Sequence, residues 1–484
     1  MKRTFLTMMV VGTICSIAGC AVGPDYRRSM PDTAALKQLP SAVGQSDIRS
    51  GVPVPQWWMG FDDPVLNQLI VRSWNANYDI GAAASRYESA IATVTEAGAA
   101  ALPELSVSGA ISRAKTSTLT SMTGIPTISS PTLVGGELDW ELDLFGRIRR
   151  GIEAARADAR ASAEARDDMR RLVTSQVAVT YIELREAQQQ YADVRVERDI
   201  AARTAELVSE REAAGRANRF DVDRANTQLN QVDARLAPLD ASIRAMRDRL
   251  ATLTALPLDA PDLAALDRPV PVRVPDFVMT DDPAGLLSRR PDVWMSEQQL
   301  AAQTARIGVA TADLYPRITL SGLIGLGSLS PGQIYNVGSK FWSGGAAMSW
   351  SLFNGGALRA RVRAVSGQAD AALAEYDKTV TTALEEADVA LESYVHEKAR
   401  NESLRKANDN AYEALTLAQV QYRDGRIGLL DLLDIQRTHV QTDQAFTESS
   451  YALARDIVLV YTAFAGGLDV PASGAGAVIA DDRH

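Results

Sequence analysis

Cysteine and histidine are scarce: two Cys and three His in 484 residues. A zinc centre built from several such ligands therefore has almost nothing to draw on. A basic surplus is also missing. Fifty Lys and Arg stand against 60 Asp and Glu, a formal net charge of −10. No excess of positive charge exists to neutralise phosphates, so nucleic acid is not an expected partner. Long apolar runs are absent as well. The best candidate after the first twenty residues, 457–468, is about two-thirds of a membrane span and contains two Gly. If the later chain crosses a bilayer, it must do so with strands. Catalytic patterns are lacking too. His396, His439 and His484 suggest no Ser/His/Asp or Cys/His arrangement, and the Gly-rich stretch 322–327 opens no helix beside a Lys. No enzyme is expected, and the energy for any transport would come from a partner.

What is present begins with an address. Lys2 and Arg3 precede an apolar stretch from Phe5 to Ile17 that is too short to span a bilayer. Ile17-Ala18-Gly19 then sets small residues before Cys20. Residues 1–19 read as a secretory signal peptide. Its ending resembles the bacterial lipobox, in which cleavage leaves the cysteine as a lipid-bearing first residue. Covalent lipid on Cys20 is the one attached group expected, with no cofactor and no metal. Cys15 leaves with the leader, so no disulfide can form. Ala21 is not the Asp of lipoproteins kept at the inner membrane, which predicts sorting to the outer membrane.

The chain then repeats itself. Asp62-Asp63-Pro64 recurs as Asp281-Asp282-Pro283, each an Asp placed to cap a helix beginning with Pro. Pro103 and Pro316 open the similar stretches 102–109 and 315–322. Trp140 with Leu144-Phe145-Gly146 recurs as Trp350 with 352–356, and Gly215-Arg216 with Asp221 recurs as Gly425-Arg426 with Asp431. The offsets lie between 210 and 219 and keep one order, which is the mark of a duplicated domain rather than a solenoid. The organisation read from this is a leader at 1–19, a lipid-anchored segment at 20–61, a first repeat at 62–256, a linking or equatorial segment at 257–282, a second repeat at 283–465 and a tail at 466–484.

Each repeat predicts a helix, two strands, a very long helix, a turn and a return helix. The long segments, 147–214 and 357–424, contain no Pro and would each run about 100 Å as helices. The return segments are 219–256 and 429–465, with a kink expected at Pro238. Apolar residues at spacings of three and four, with many Ala, predict antiparallel coiled-coil contacts. On the helices alone, a non-conducting stalk would be the simplest reading.

The strands alter that reading. In 137–144, Leu138, Trp140, Leu142 and Leu144 alternate strictly with Glu137, Asp139, Glu141 and Asp143. Similar alternation marks 105–112, 318–326 and 346–352. Four strands of roughly 8–12 residues have the length of tilted transmembrane strands, yet cannot close a barrel alone. Their edges are forbidden in lipid, so chains must pool strands: two copies give eight, three give twelve.

These residues resemble the outer membrane factors, the TolC-like exit ducts of tripartite efflux pumps, in their lipoprotein (NodT/OprM-type) branch. The resemblance rests on 20–26, on Trp57-Trp58 with Phe61-Asp62-Asp63-Pro64, and on Leu142 to Arg147. It rests also on Leu286 to Val293, on Ile307 to Ala310, and on Phe353-Asn354-Gly355-Gly356. It implies an α+β fold, mainly long helices in a trimeric periplasmic α-barrel, with four strands per chain contributing to a twelve-stranded β-barrel. Its partners would be two further copies, outer-membrane lipid, a periplasmic adaptor and an inner-membrane transporter of the RND type. Trp140 and Trp350 are candidate girdle residues. The turns at Gly215, Arg216 and Asp221, and at Gly425 and Gly428, would meet the adaptor. Leu430, Asp431 and Asp434 would form a periplasmic gate, with Arg423 and Arg426 holding it shut. Arg289, Arg290 and Asp292 read as structural charge pairing. The expected function is a passive outer-membrane exit duct for small molecules; the alternatives are protein or metal-ion export, or a non-conducting helical lipoprotein.

Overall fold

A computed structural model describes residues 21–27, 48–51, 54–115, 117 and 128–467. Cys20 and the tail after 467 lie outside the described residues. In chain order the elements are β1 (Ile48–Ser50), α1 (Pro64–Ala76), α2 (Tyr78–Ala99), β2 (Glu104–Ile111), β3 (Ala114–Lys115), β4 (Ile128–Ser129), β5 (Thr132–Leu142), α3 (Arg147–Ala213), α4 (Arg219–Asp233) and α5 (Leu236–Leu253). There follow β6 (Val278–Thr280), α6 (Pro283–Arg289), α7 (Pro291–Ala312), β7 (Arg317–Ser328), β8 (Lys340–Ser349), α8 (Ala357–Arg423) and α9 (Leu429–Ala463). No helix among the described residues is long and apolar enough to cross a membrane. The chain forms two compact units, and each draws on both repeats: the first holds 86–163 and 295–377, the second 164–294 and 378–467.

The first unit contains an antiparallel sheet in the order β2-β5-β7-β8. The strands pair across the repeats through β5 and β7, with Trp140 opposite Leu320 and Leu138 opposite Gly322. Gly135 and Gly325 face each other there. A Cβ on Gly325 would stand 2.6 Å from the Val134 carbonyl oxygen and 2.8 Å from the Phe341 ring. Only glycine lets the backbones and the ring close over that point.

Two strand limits differ from the alternation pattern. β5 starts at Thr132 and stops at Leu142, because the Asp143 carboxylate turns to accept from the N–H groups of Ile148 (3.1 Å) and Arg149 (2.8 Å) at the start of α3. β8 starts at Lys340 and stops at Ser349; Gly344 and Gly345 carry no side chain and blur the period through its middle. Gly355 and Gly356, at φ of +63° and +86°, then turn the chain into α8.

In the second unit the long helices return through short turns. The first return breaks into α4 and α5 instead of bending once. Pro238 has no N–H for the Ala234 carbonyl and its ring crowds that group, so the helix ends at Asp233 and restarts at Leu236. The second return, α9, has no proline and runs unbroken for 35 residues. The predicted caps form: Asp63 accepts from the N–H of Val65 at 2.8 Å and of Leu66 at 3.3 Å, and Asp282 from that of Gly285 at 2.6 Å. Trp57 stacks on Tyr461, with ring centres 5.4 Å apart, and docks the segment before α1 on the end of α9.

Arg290, 1% exposed, explains the charged pair before Pro291. It binds Asp292 through two N–H groups (2.9 and 2.6 Å), Glu386 at 2.7 Å, and the Ala463 carbonyl at the end of α9 at 3.2 Å. Arg171 donates to the neighbouring Thr462 carbonyl at 2.9 Å and pairs with Asp168 at 2.7 Å. Two guanidinium groups thus satisfy the open carbonyls of a helix C-terminus, where positive charge is favoured. Arg290 holds the Asp292 carboxyl below its ordinary pKa despite burial. In the first repeat Asn77 donates to the Leu253 carbonyl at 2.9 Å, the same contact without the charge.

Candidate functional site

Two places carry the candidate residues: the sheet with its foot, and the tips of the two helical hairpins.

The register gathers one parity of side chains onto one face. Leu105 and Val107 lie beside Leu138 and Gly136, these beside Gly322 and Ile324, and these beside Gly344 and Trp342. Val134, Trp140, Leu320, Leu326 and Met348 extend the face. The opposite parity carries Ser106, Ser108, Glu137, Asp139, Thr319, Ser321 and Ser343, with Leu133, Leu323 and Phe341 as its large apolar members. Much of the apolar face is open among the described residues; Val107 is 79% exposed, Ile324 70% and Trp342 82%. Among the described residues β2 and β8 each have a partner on one side only. An exposed apolar face bounded by two open edges is stable only in lipid and only when other strands close it.

Trp140 and Trp350 stand at the foot of this sheet, and both indoles are used. Trp140 Nε1 donates to the Ala101 carbonyl and Trp350 Nε1 to the Leu314 carbonyl, each at 3.0 Å. The same bond in both repeats ties a strand to the end of the helix before the sheet. A third tryptophan escaped the sequence reading. Trp342 is eight residues before Trp350 on β8, about 26 Å along an extended strand. Both rings are exposed. The signal was present, but the glycines between the two rings interrupted the alternation.

Of the four acids on the wet side of 137–144, two serve the turn. Glu141 binds Arg147 through both oxygens (2.9 and 2.7 Å), and Asp143 caps α3. The first residues after Cys20 dock beside this turn. Ala21 lies against Gly146, which holds φ +83°, and Val22 N–H reaches the Phe145 carbonyl at 3.1 Å. Arg150 fixes Asp25, and Tyr26 donates to Glu297 at 3.1 Å. Gly23, at φ +96°, has no room for a Cβ, which would meet Gly308 at 2.5 Å. Phe145 stacks on Tyr315 at 4.8 Å.

The hairpin tips are duplicates. Gly215 (φ +67°) and Gly425 (φ +71°) end the long helices in the left-handed conformation. Arg216 N–H bonds the Arg211 carbonyl at 2.7 Å, and Arg426 N–H the Gln421 carbonyl at 2.8 Å, the six-to-one closure of a Schellman motif. Asp221 and Asp431 have the same task at the next helix start. Asp221 exchanges bonds with Asn218, and the Asp431 carboxylate accepts from Gly428 N–H at 3.0 Å. Asp431 therefore shapes the turn, its carboxylate occupied by a backbone donor.

Beneath each tip is a small apolar cluster. Ala205, Val208, Val222 and Ala225 fill one; Leu415, Ala418, Tyr422 and Leu432 fill the other. Leu429 packs on both and joins the tips. The Arg211 guanidinium adds a second link, 4.5 Å from the centre of the Tyr422 ring.

Leu430, Asp431 and Asp434 are exposed, and Leu430 and Asp434 share a helix face at i, i+4. Asp434 pairs with Arg437, which the sequence reading missed, although an Arg three residues on is its nearest helical neighbour. Arg423 and Arg426 are exposed, and Arg426 comes within 3.9 Å of Asp424. Within one chain neither is brought to Asp434.

Known proteins place this architecture. The family model for outer membrane efflux proteins matches twice, over residues 69–256 and 283–466. Nodulation protein T of Rhizobium leguminosarum bv. viciae is 31% identical over 461 residues, covering 94% of this chain and 92% of the relative. The solvent efflux pump outer membrane protein SrpC of Pseudomonas putida is 30% identical, covering 94% and 97%. The solved outer-membrane channel OprN superposes with a TM-score of 0.86 at 33% identity, over 93% of this chain and 99% of that one. The chain thus belongs to the outer membrane efflux protein family, as an outer-membrane channel of α+β fold with an internal duplication.

Proposed function

We propose that three copies of this chain pool their four-stranded sheets into a twelve-stranded barrel, and that the assembled duct passively releases small molecules delivered through a periplasmic adaptor by an inner-membrane transporter. The apolar face carried in register across all four strands, ending in two open edges, is the observation that supports this most directly. Three sheets are enough to bury every edge, and lipid covers the face. The solvent-efflux role of the Pseudomonas putida relative favours small organic cargo over protein.

Lipid on Cys20 belongs to the same reading. Ala21 is held at the Gly146 turn, so the acyl chains would enter the bilayer at the foot of the sheet, next to Phe145 and Tyr315. The hairpin tips supply the adaptor contact and the gate: Leu430 and Asp434 project from α9, while Asp431 sets the turn that aims them.

The test is native mass spectrometry of the purified lipoprotein, followed by planar-bilayer recording. A mass three times that of one lipidated chain and a small current are expected. A stable monomer, or a membrane-inserted trimer that never conducts, would overturn the proposal.

A further inference from the structure

The second unit contains a cavity of about 310 Å³ that neither conduction nor the gate uses. Its walls come from α3, from α9 and from the extended segment crossing them at Pro271 and Val272. Phe446, Tyr451 and Val272 give it an apolar body, and Asp193 and Asp443 place a carboxylate on each of two walls. Each acid is oriented by one amide. Gln189 Nε2 donates to Asp193 at 2.8 Å, and Asn408 Nδ2 donates to Asp443 at 3.0 Å.

Neither acid has a cationic partner among the described residues, and the nearby cations are engaged. Arg185 donates through Nη1 to Gln188 and to the carbonyls of Leu266 and Arg268, and through Nη2 to the Tyr181 hydroxyl. Arg235 pairs with Glu197 at 2.7 Å, and Arg455 with Glu186. Burial and the neighbouring Asp443 raise the Asp193 pKa. Small-molecule sites have this form: a concave, mostly apolar wall with a few fixed polar groups.

We infer that this cavity binds a small organic cation, a primary ammonium on an aromatic or alkyl stem. The ammonium lies between the Asp193 and Asp443 carboxylates, and the stem lies along Phe446 and Tyr451, whose ring faces attract positive charge. The site joins α3, α9 and the 271–272 crossing without reference to the conduit, so it stands or falls apart from the proposed function.

The test is a fluorine NMR titration of para-fluorobenzylammonium into the full-length protein in a non-ionic detergent, beside para-fluorobenzyl alcohol as a neutral isostere. Saturable binding of the ammonium at least tenfold tighter than any binding of the alcohol is expected. Asp193→Asn and Asp443→Asn, examined singly, are each expected to weaken it at least tenfold while Phe446→Leu weakens it less. Equal behaviour of ammonium and alcohol with the unsubstituted protein overturns the inference without recourse to any variant. Ammonium binding that survives both Asn substitutions also overturns it, because the cation is then held elsewhere.

Discussion

The guanidinium of Arg211, at the end of one long helix, lies 4.5 Å from the centre of the Tyr422 ring at the end of the other. The repeat offset makes Gln421 and Glu212 their counterparts, so the duplicate of this contact does not exist. A cation over an aromatic face contributes about 0.5–2 kcal/mol. Arg211→Ala is expected to weaken the link between the tips and raise the open fraction in planar-bilayer records by roughly two- to thirtyfold. Tyr422→Phe, which keeps the ring, is expected to behave like the parent. A current unchanged by Arg211→Ala would remove this contact from the closing mechanism.

Asp431 and Asp434 are expected to separate when replaced one at a time. Asp431→Ala removes a carboxylate that accepts from Gly428 N–H, and such caps are worth about 1 kcal/mol. Its outcome is a lower midpoint in thermal denaturation, with ion selectivity unchanged. Asp434→Ala leaves the turn intact and removes an exposed charge paired with Arg437. Larger current and weaker cation preference, at parental stability, are expected. Identical selectivity in the parent and Asp434→Ala would assign the gate to other residues.

Arg290→Ala strands Asp292 and Glu386 and opens the end of α9. Breaking one side of a buried, hydrogen-bonded charge cluster typically costs about 3–5 kcal/mol. The fraction of assembled oligomer that survives heating is expected to fall steeply, while the current per surviving channel stays the same. Arg290→Lys, unable to bind Asp292 through two N–H groups, is expected to recover only part of the loss. Retention of full heat resistance by Arg290→Ala would refute the assignment.

Acidity is expected to act in two opposite senses. Burial, with Glu397 nearby, raises Asp456 to about 6 from an ordinary 3.8, and burial raises Glu164 to about 7. Because the folded forms hold these protons more tightly, stability rises as pH falls from about 7.5 through about 5. Asp292 is shifted downward, so its contribution is present above the ordinary carboxylate pKa and is lost as pH drops further. Heat resistance is therefore expected to peak in mild acid. Asp456→Asn should flatten the limb between about pH 4 and 6; an unaltered profile in that variant would show that Asp456 does not carry it.

Much of the architecture was legible because it was written twice. The helix limits, the Asp63 and Asp282 caps and the glycine turns rest on local chemistry that one chain displays directly. Strand alternation revealed the sheet, but Gly344-Gly345 concealed the first half of β8 and with it Trp342. Pro238 announced a disturbance; whether the helix bent or broke depended on how the carbonyl of Ala234 could be satisfied. The tip was legible as a turn and illegible as a junction. Leu429 and the Arg211–Tyr422 pair link residues from different repeats, and such encounters have no signature in spacing. Asp431 has a repeat counterpart in Asp221 and Asp434 has none, but only the Gly428 N–H on the one and Arg437 on the other show what each carboxylate does.

Leu429 has consequences of its own. Its counterpart in the first repeat is Arg219, so the apolar plug shared by both clusters belongs to one copy alone. The same asymmetry recurs where Arg290 replaces Asn77 and where Tyr422 replaces Glu212. Divergence after duplication thus left Arg290, Tyr422 and Leu429 in the second copy without equivalents in the first. A swap of Arg219 and Leu429 would leave the composition untouched and take from the second hairpin the side chain that packs on both clusters.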